Sequence, residues 1–314
     1  MEQKPENIYA LAQLLPVAQA GKFAIGSFTA RCTLMIRAIL RAGEATRSPV
    51  IDQISQIELK WCQLTVEEFA GEFRRQFDQV RPTVPVGLHL DHSSDFGLIQ
   101  SAVESGFSSV MVDASPLPLE QNVAAACQVV EYAHPRRVSV EAELGRIGTA
   151  DFVETETDDV LYTDPEEAGY FVERTGVDAL AVSVGTAHGV YRVRQPKIDL
   201  ERLKAIRRQT PVALVLHGGS GTQQAMVREA IGLPGGGVSK VNFATDLELA
   251  LFAEFGLKAR LADAALRALP PESLERGARA VQRVVEEKIG SFLGSRDHAG
   301  DYLGHSVSEV KPGA

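Results

Sequence analysis

The sequence predicts an α/β protein built as one (β/α)8 barrel, the TIM-barrel architecture, with an extra helical segment at the C-terminal end. Short apolar runs alternate with longer amphipathic ones along the chain, as they do in a parallel sheet covered by helices. Eight such runs occur, which is the number that closes a barrel, and 314 residues is a normal length for one. We therefore expect a single domain over residues 1–314, with the barrel over about 10–265 and the C-terminal helix and tail over about 266–314.

Each predicted strand is short, apolar and bounded by Gly, Pro, Ser or Asp, which is typical of parallel strands buried on both faces. Parallel strands place all their carboxyl ends at one rim of a barrel, where such barrels carry their chemistry. In chain order the strands are Phe23–Phe28, Val50–Ser55, Val86–Asp91, Ser109–Asp113, Val138–Leu144, Ala179–Val184, Val212–Leu216 and Ser239–Ala244.

The segments between the strands carry helical signals. Leu34–Ala45 is one predicted helix, and Val66–Val80 repeats apolar residues every three or four positions. The run Thr163-Asp164-Pro165 is a typical helix start. Beyond the barrel, Ser273–Leu293 predicts one more helix, followed by a loose polar end.

Composition excludes several classes of protein. The net charge of −9 argues against a nucleic-acid partner, because phosphate binding needs a basic face. Apolar runs are too short for a membrane span and the N-terminal residues lack a targeting pattern, so we expect a cytoplasmic protein. The cysteines Cys32, Cys62 and Cys127 show no ligand or redox spacing, and we interpret them as packing residues in a reducing compartment.

Three histidines lie at the carboxyl ends of predicted strands. His92 directly follows the third strand, His188 lies shortly after the sixth and His217 directly follows the seventh. Neutral imidazoles suit zinc or a similar divalent ion, and three protein ligands leave a coordination position open for substrate. A lone histidine at a strand end is more often structural, but three at one rim favour a metal site.

A glycine-rich turn follows the seventh strand. Gly218-Gly219-Ser220-Gly221 precedes a helix that begins near Thr222, and backbone N–H groups at a helix start bind phosphate. Barrels often bind phosphate at the loops after strands seven and eight. The Asn242 amide and the Thr245 hydroxyl lie at the end of the eighth strand, where they can complete the site.

Five motifs then identify a family. In these motifs the sequence resembles the class II, metal-dependent fructose-bisphosphate aldolases, and within them the tagatose-bisphosphate branch. The resemblance runs from roughly Ala10 to Gly294. The motifs are LHLDH (88–92), VEAELGRIG (140–148), DALAVSVGTAHGVY (178–191), LVLHGGSGT (214–222) and KVNFATDL (240–247).

The resemblance implies roles for individual residues. The zinc ligands would be His92, His188 and His217, and Asp91 would carry the proton at the C4 oxygen of the substrate. It also implies a barrel fold and a homodimer or homotetramer. Asp113 and Glu143 would line an alternate metal position, and the Gly189 carbonyl would help to hold a monovalent cation, Na⁺ or K⁺. The implied phosphate contacts are Gly189, Gly218, Ser220, Asn242 and Thr245.

These implications predict an aldehyde-lyase that cleaves or forms a carbon–carbon bond in a phosphorylated ketose. Dihydroxyacetone phosphate or a close analogue would be the donor, because a metal that polarises its carbonyl stabilises the enediolate formed by proton loss. One alternative is a lysine Schiff-base aldolase using Lys240, but this lysine begins its strand and is expected at the surface or the bottom rim. Another is a binding barrel that kept phosphate affinity and lost turnover.

The sequence departs from the family pattern on the acceptor side. The loop that usually carries the C3 base offers Asp151, Glu154 and Glu156, among which the sequence does not choose. Thr29 stands where the family has asparagine, and Gln56-Ile57 replaces a glycine turn.

Two further positions bear on a second phosphate. Glu248 stands where fructose-bisphosphate members often have arginine, and its carboxylate would repel a phosphate. Arg37 stands where relatives often have an amide, and either supplies a new anion contact or, like Glu248, is an ordinary helix-surface residue. We therefore expect an acceptor other than glyceraldehyde 3-phosphate.

Overall fold

The computed structural model describes residues 7–145, 162–186 and 196–302, and within them eight parallel strands form a closed barrel in sequential order, β1 pairing with β8. The fold class predicted from the sequence is thus confirmed. The strands are β1 Ile25–Thr29, β2 Val50–Ser55, β3 Val86–Ser93, β4 Ser109–Val112, β5 Ser139–Leu144, β6 Ala179–Val182, β7 Ala213–Leu216 and β8 Val238–Phe243.

The predicted strand ends differ from the observed ones by two residues or fewer. For example, β4 ends at Val112 rather than Asp113, because the Asp113 carboxylate accepts from the backbone N–H and hydroxyl of Ser115 and turns the chain. All eight strands are buried along almost their whole length, which explains why they read as apolar runs.

Helices surround the barrel, and a short one that the sequence did not predict follows β2 directly. In this helix, α3, the Ser55 hydroxyl and the Glu58 carboxylate cap each other's backbone N–H groups. The α-helices among the described residues are α1 Leu11–Gly21, α2 Thr33–Thr46, α3 Gln56–Cys62, α4 Val66–Val80, α5 Phe96–Glu104, α6 Leu119–Ala133, α7 Pro165–Thr175, α8 Leu200–Gln209, α9 Gln224–Ile231, α10 Thr245–Phe255, α11 Asp263–Arg267 and α12 Pro271–Glu287.

The C-terminal helix predicted as Ser273–Leu293 is divided in two. The α-helix ends at Glu287 and a π-helical segment continues over Lys288–Leu293. Pro271 occupies its first turn, where a missing N–H costs nothing. No helix in the described ranges is long and apolar enough to cross a bilayer.

The barrel interior changes character from one end to the other. At the amino end of the strands, α1 closes the barrel and packs Leu11, Leu14 and Leu15 against interior residues such as Ile51 and Val215. Toward the carboxyl end the interior holds buried polar and charged side chains instead. The polar set comprises Ser27, Gln53, His89, Asp91, Glu141, Lys240 and Asn242.

An irregularity in β3 brings two consecutive residues to the same site. The register against β4 shifts between Leu90 and Ser93, and His92 has a positive φ of 33°. Neighbouring residues of a regular strand point to opposite faces. Because of the bulge, both Asp91 and His92 contact other side chains at the carboxyl end of the barrel.

Candidate metal centre and active site

Two histidines and two carboxylates converge at the carboxyl ends of β3, β4, β5 and β7. His92 Nδ1 lies 2.8 Å from Asp113 Oδ2 and 3.9 Å from Glu143 Oε2. His217 Nδ1 lies 3.3 Å from Glu143 Oε2, and the two imidazole rings meet edge to face at 4.6 Å between centroids. The structure therefore brings together four of the five predicted metal-site residues.

His217 is held in place by a buried ion pair inside the barrel. Its Nε2 lies 3.0 Å from Glu141 Oε1, and the Lys240 ammonium donates to the same oxygen at 3.2 Å and lies 2.9 Å from Glu141 Oε2. All three side chains are fully buried. Because Nε2 faces Glu141, Nδ1 is the nitrogen that faces the metal position.

The expectation that Lys240 lies at the surface or bottom rim is wrong. Lys240 projects into the barrel with the same facing as Asn242, two residues later in β8, since alternate strand residues share a face. Its amine is held by the Glu141 carboxylate. A Schiff-base nucleophile needs an amine that is free to attack the substrate carbonyl, whereas this amine is engaged by Glu141.

Asp91 is held by three strands. Gln53 Nε2 on β2 donates to Asp91 Oδ2 at 3.0 Å and also to the Thr29 hydroxyl at 3.0 Å. Asn242 Nδ2 on β8 donates to the two Asp91 oxygens at 3.2 and 3.3 Å. The Ser27 hydroxyl on β1 donates to Gln53 Oε1 and fixes the amide orientation. Asp91 thus points its carboxylate into the site in one defined position.

The electrostatics of the cluster favour a positive charge. Burial by itself lowers the pKa of the His92 imidazole, but Asp91, Asp113 and Glu143 outweigh burial and raise it to about 10. Burial by itself raises the pKa of Asp91, and the neighbouring His92 and Lys240 bring it below its usual value. The environment therefore stabilises a cation beside these carboxylates.

His89 is neutral, in contrast. Burial, and then Lys240, lower the pKa of its imidazole to about 3. Its Nδ1 lies 2.9 Å from the Ser109 hydroxyl, and its Nε2 lies 3.7 and 3.8 Å from Glu141 and Asp91.

The donor set fits a divalent metal. The candidate ligand atoms of His92, Asp113 and Glu143 all lie within 4.8 Å of one another, and so do those of Asp91, His92 and His217. Imidazole nitrogens mixed with carboxylate oxygens suit zinc and related first-row ions.

The glycine-rich turn after β7 lies against the start of α10. Ser220 Oγ accepts from the backbone N–H groups of Ala244 and Asp246, both at 3.2 Å. Gly219 must lack a side chain here, because a Cβ would lie 2.7 Å from Val241 and 2.8 Å from the Asn242 carbonyl oxygen. Gly218 adopts a φ of 70°. The predicted phosphate contacts Gly218 and Ser220 are thus held beside Thr245, the first residue of α10.

Asn242 has a partner that the sequence did not predict. Its amide nitrogen donates to Asp91, so the side chain links the predicted phosphate loop to the predicted proton carrier. Close by, the Lys288 ammonium lies 2.6 Å from Asp246 and packs on the Phe292 ring at 4.0 Å.

The two acceptor-side residues singled out in the sequence lie in different places. Glu248 is buried and ion-paired with Arg31 and Arg260, so it is neither a helix-surface residue nor an uncompensated carboxylate. Arg37 on α2 lies near Glu275 of α12, on the outside of the barrel. The hypothesis that Arg37 reaches the pocket has no support in this geometry.

Some predicted residues lie outside the described ranges. These are His188, Gly189 and the three loop acids Asp151, Glu154 and Glu156.

Sequence reasoning overlooked Gln53 and the role of Glu141. Glu141 stands two residues before Glu143, which was predicted to line the site, and Gln53 stands two residues before the end of its predicted strand. Residues two apart along a strand point to the same face, and this rule could have identified both.

Comparison with known proteins points to one family. A family model described as fructose-bisphosphate aldolase class-II matches residues 9–298. A fructose-bisphosphate aldolase from Geobacillus stearothermophilus is 39% identical over 251 residues, covering 78% of this chain and 83% of the relative. One from Giardia intestinalis is 34% identical, covering 96% of this chain and 97% of the relative. The solved structure of the YdjI aldolase from Escherichia coli K12 has a TM-score of 0.78 at 30% identity, covering 93% of this chain and 99% of that one.

Proposed function

The chain belongs to the class II fructose-bisphosphate aldolase family and is a metal-dependent aldolase, and from this premise we propose its substrate and the roles of its residues. The substrate is a phosphorylated ketose, cleaved to dihydroxyacetone phosphate or a close analogue and an aldehyde. The observation that carries the proposal is the convergence of His92, His217, Asp113 and Glu143 next to Asp91.

The metal is zinc or another divalent ion. His92, His188 and His217 are its ligands, and Asp113 and Glu143 line an alternate position for it. When bound, it supplies the positive charge that stabilises negative charge on the donor's oxygens. Glu141 orients His217, and Lys240 keeps the Glu141 carboxylate compensated inside the barrel.

Asp91 moves the proton at the acceptor. During cleavage it takes the proton from the C4 hydroxyl, and during condensation it returns the proton to the aldehyde oxygen. Its low pKa keeps it ionised, and its two hydrogen-bonding neighbours, Gln53 and Asn242, fix the direction in which it accepts the proton. One of Asp151, Glu154 and Glu156 is the proposed base at C3.

The donor phosphate binds at the loops after β7 and β8. Gly189, Gly218, Ser220, Asn242 and Thr245 are the proposed contacts, supported by the packing of the glycine turn against the first turn of α10. A Na⁺ or K⁺ ion at the Gly189 carbonyl, a homodimer or homotetramer, and a cytoplasmic location complete the proposal.

The two alternatives receive no support. A Schiff-base reaction at Lys240 conflicts with its ion pair to Glu141. A barrel without turnover has no feature in its favour, since Asp91 and the metal-site residues are held in place.

The test is an aldol condensation screen with purified, zinc-loaded protein, dihydroxyacetone phosphate and a panel of aldehydes. We expect carbon–carbon bond formation that EDTA abolishes and that Zn²⁺ or Co²⁺ restores. Borohydride added with substrate should leave the enzyme active. Activity that survives complete demetallation, or trapping of substrate on Lys240, would contradict the proposal.

A further inference from the structure

Four charged side chains form a continuous series of ion pairs at the barrel rim, which we name the rim chain: Glu58, Arg31, Glu248 and Arg260. Arg31 Nε lies 2.8 Å from Glu58 Oε1, and its guanidinium also lies 2.6 Å from Glu248 Oε2. Arg260 donates to both oxygens of Glu248, to Oε2 at 2.8 Å. The side chains of Arg31, Glu58 and Glu248 are only 13%, 6% and 8% exposed. The contacts of Arg31 are therefore shielded from solvent, whereas Arg260 is 42% exposed.

The rim chain lies directly above the strands that hold Asp91. Those strands are β8, β1 and β2, and each carries one member just past its end. Arg31 follows β1, Glu58 accepts from the hydroxyl of Ser55 at the end of β2 at 2.8 Å, and Glu248 lies in the first turn of the helix after β8. This arc of the rim is opposite β4 and β5, which carry the metal-site carboxylates. Asp91, the proposed proton carrier at the acceptor, receives its hydrogen bonds from β2 and β8, so the rim chain lies on the acceptor side of the proposed site.

The charges of the rim chain cancel. Two guanidinium groups meet two carboxylates, and Glu248 accepts hydrogen bonds from both arginines. Arg260 is further held by stacking on the Trp61 ring at 3.9 Å. The guanidinium nitrogens that face Glu58 and Glu248 are already engaged, so a phosphate that took their place would leave a buried carboxylate without compensation, which is strongly unfavourable.

We propose that Glu248 determines the acceptor specificity by neutralising Arg31 and Arg260, so that the enzyme takes an aldehyde without a phosphate group and cleaves ketose 1-monophosphates. This inference rests on the proposed function. It assigns to Glu248 a task beyond fold stability: keeping two arginines at the acceptor end from recognising an anion.

The experiment compares kcat/KM for ketose 1-monophosphates with kcat/KM for fructose and tagatose 1,6-bisphosphate. The wild type is expected to prefer a monophosphate. Glu248→Gln leaves two arginines with one fewer carboxylate, and we expect the bisphosphate-to-monophosphate ratio to rise about tenfold or more. Added salt should reduce this gain, because it screens the attraction.

Glu254→Gln is the matched control. Glu254 lies on the same helix and pairs with Arg276 at 3.0 Å, far along the helix from its first turn, so the ratio should not change. Glu58→Gln frees Arg31 from the other side and serves as a second variant if Glu248→Gln fails to fold. Metal content and thermal unfolding verify that each variant is intact.

The proposal is overturned if the wild type prefers a bisphosphate by about a hundredfold or more, or if folded, metal-loaded Glu248→Gln and Glu58→Gln both keep the wild-type ratio. Turnover of either substrate class sustains the proposed aldolase function whichever way the ratio falls. Absence of all carbon–carbon cleavage would overturn the function and the specificity assignment together.

Discussion

The carboxyl end of the barrel, which we call the metal end, holds four carboxylates and one lysine. The rim chain holds two carboxylates and two arginines. Asp113 and Glu143 lie beside His92, Glu141 pairs with Lys240, and His89 is held neutral between Glu141 and Asp91. The metal end therefore has more carboxylates than lysine or arginine side chains among the described residues, whereas the rim chain has equal numbers of each. A bound cation would balance the charge of the metal end, whereas the charges of the rim chain already balance one another. The two regions therefore differ in what they are expected to bind: the metal end favours a cation, and the rim chain favours no ion.

The largest expected effect tests the metal end. His92→Ala or His217→Ala should remove most bound metal and lower kcat/KM by at least about 1,000-fold, because a three-ligand site loses affinity and geometry together. Metal analysis and steady-state kinetics measure the two losses. His134→Ala is the control, since His134 pairs with Asp178 before β6 and should retain metal. A fully active His217→Ala protein would remove the basis of the comparison.

The next effect separates Asp91 from the ligands around it. Asp91→Ala should keep its metal but lose cleavage and condensation by about 100- to 10,000-fold in kcat, the usual contribution of general acid–base catalysis. Exchange of the C3 proton of dihydroxyacetone phosphate, followed by NMR in D₂O, should fall much less, because that step uses another base. Loss of metal in this variant would instead assign Asp91 to the ligand set.

A smaller effect concerns the ion pair beneath His217. Glu141→Gln should weaken metal binding by about 10- to 100-fold, because a neutral amide orients the imidazole less firmly and adds no negative charge. Competition with a chelating dye measures the affinity. Glu275→Gln, which removes a carboxylate paired to Arg41 on the outside of the barrel, should bind metal as the wild type does. Equal affinities in the two variants would show that Glu141 acts only in packing.

The smallest effect involves a buried carboxyl group that has neither a cation site nor an arginine beside it among the described residues. Asp52 on β2 is fully buried, and neither of its oxygens has a hydrogen-bond partner among the described residues. Burial raises its pKa well above the usual range, so the folded protein retains a proton that the unfolded chain releases above about pH 4. Stability contributed by this proton is full below that pH and is lost as pH rises toward the folded pKa.

Asp52→Asn should therefore become more stable than the wild type as pH increases, by on the order of 1–3 kcal/mol. Urea unfolding at pH 5, 7 and 8 measures the difference. A constant difference across this range would mean that the carboxyl group is ionised in the folded protein, and that buried acids here need no counter-charge.

The sequence anticipated the barrel because doubly buried parallel strands are short apolar runs, and β2 was predicted to the residue. His92 and His217 were found because strand ends share one rim. The pairing of Glu141 with Lys240 was not predicted, because it spans 99 positions and each residue sits inside an apolar run. The buried state of Glu248 was missed for a similar reason, since its partner Arg31 lies 217 positions away and its partner Arg260 lies 12 positions away, beyond the end of its own helix. Long-range ion pairs leave no local periodicity.

The closure of the barrel by its first and last strands has a consequence for how the chain is made. β1 pairs with β8, and the Tyr302 hydroxyl donates to the Leu14 carbonyl at 3.0 Å, so the first and last parts of the described chain lie together. On the ribosome β8 emerges roughly 200 residues after β1, or about 10 to 40 s later at ordinary rates of synthesis. For that interval β1 exposes an open edge of unpaired backbone groups, the kind of surface that recruits other strands. The nascent chain thus depends on protection during elongation, and a chain that stops before β8 keeps that edge open permanently.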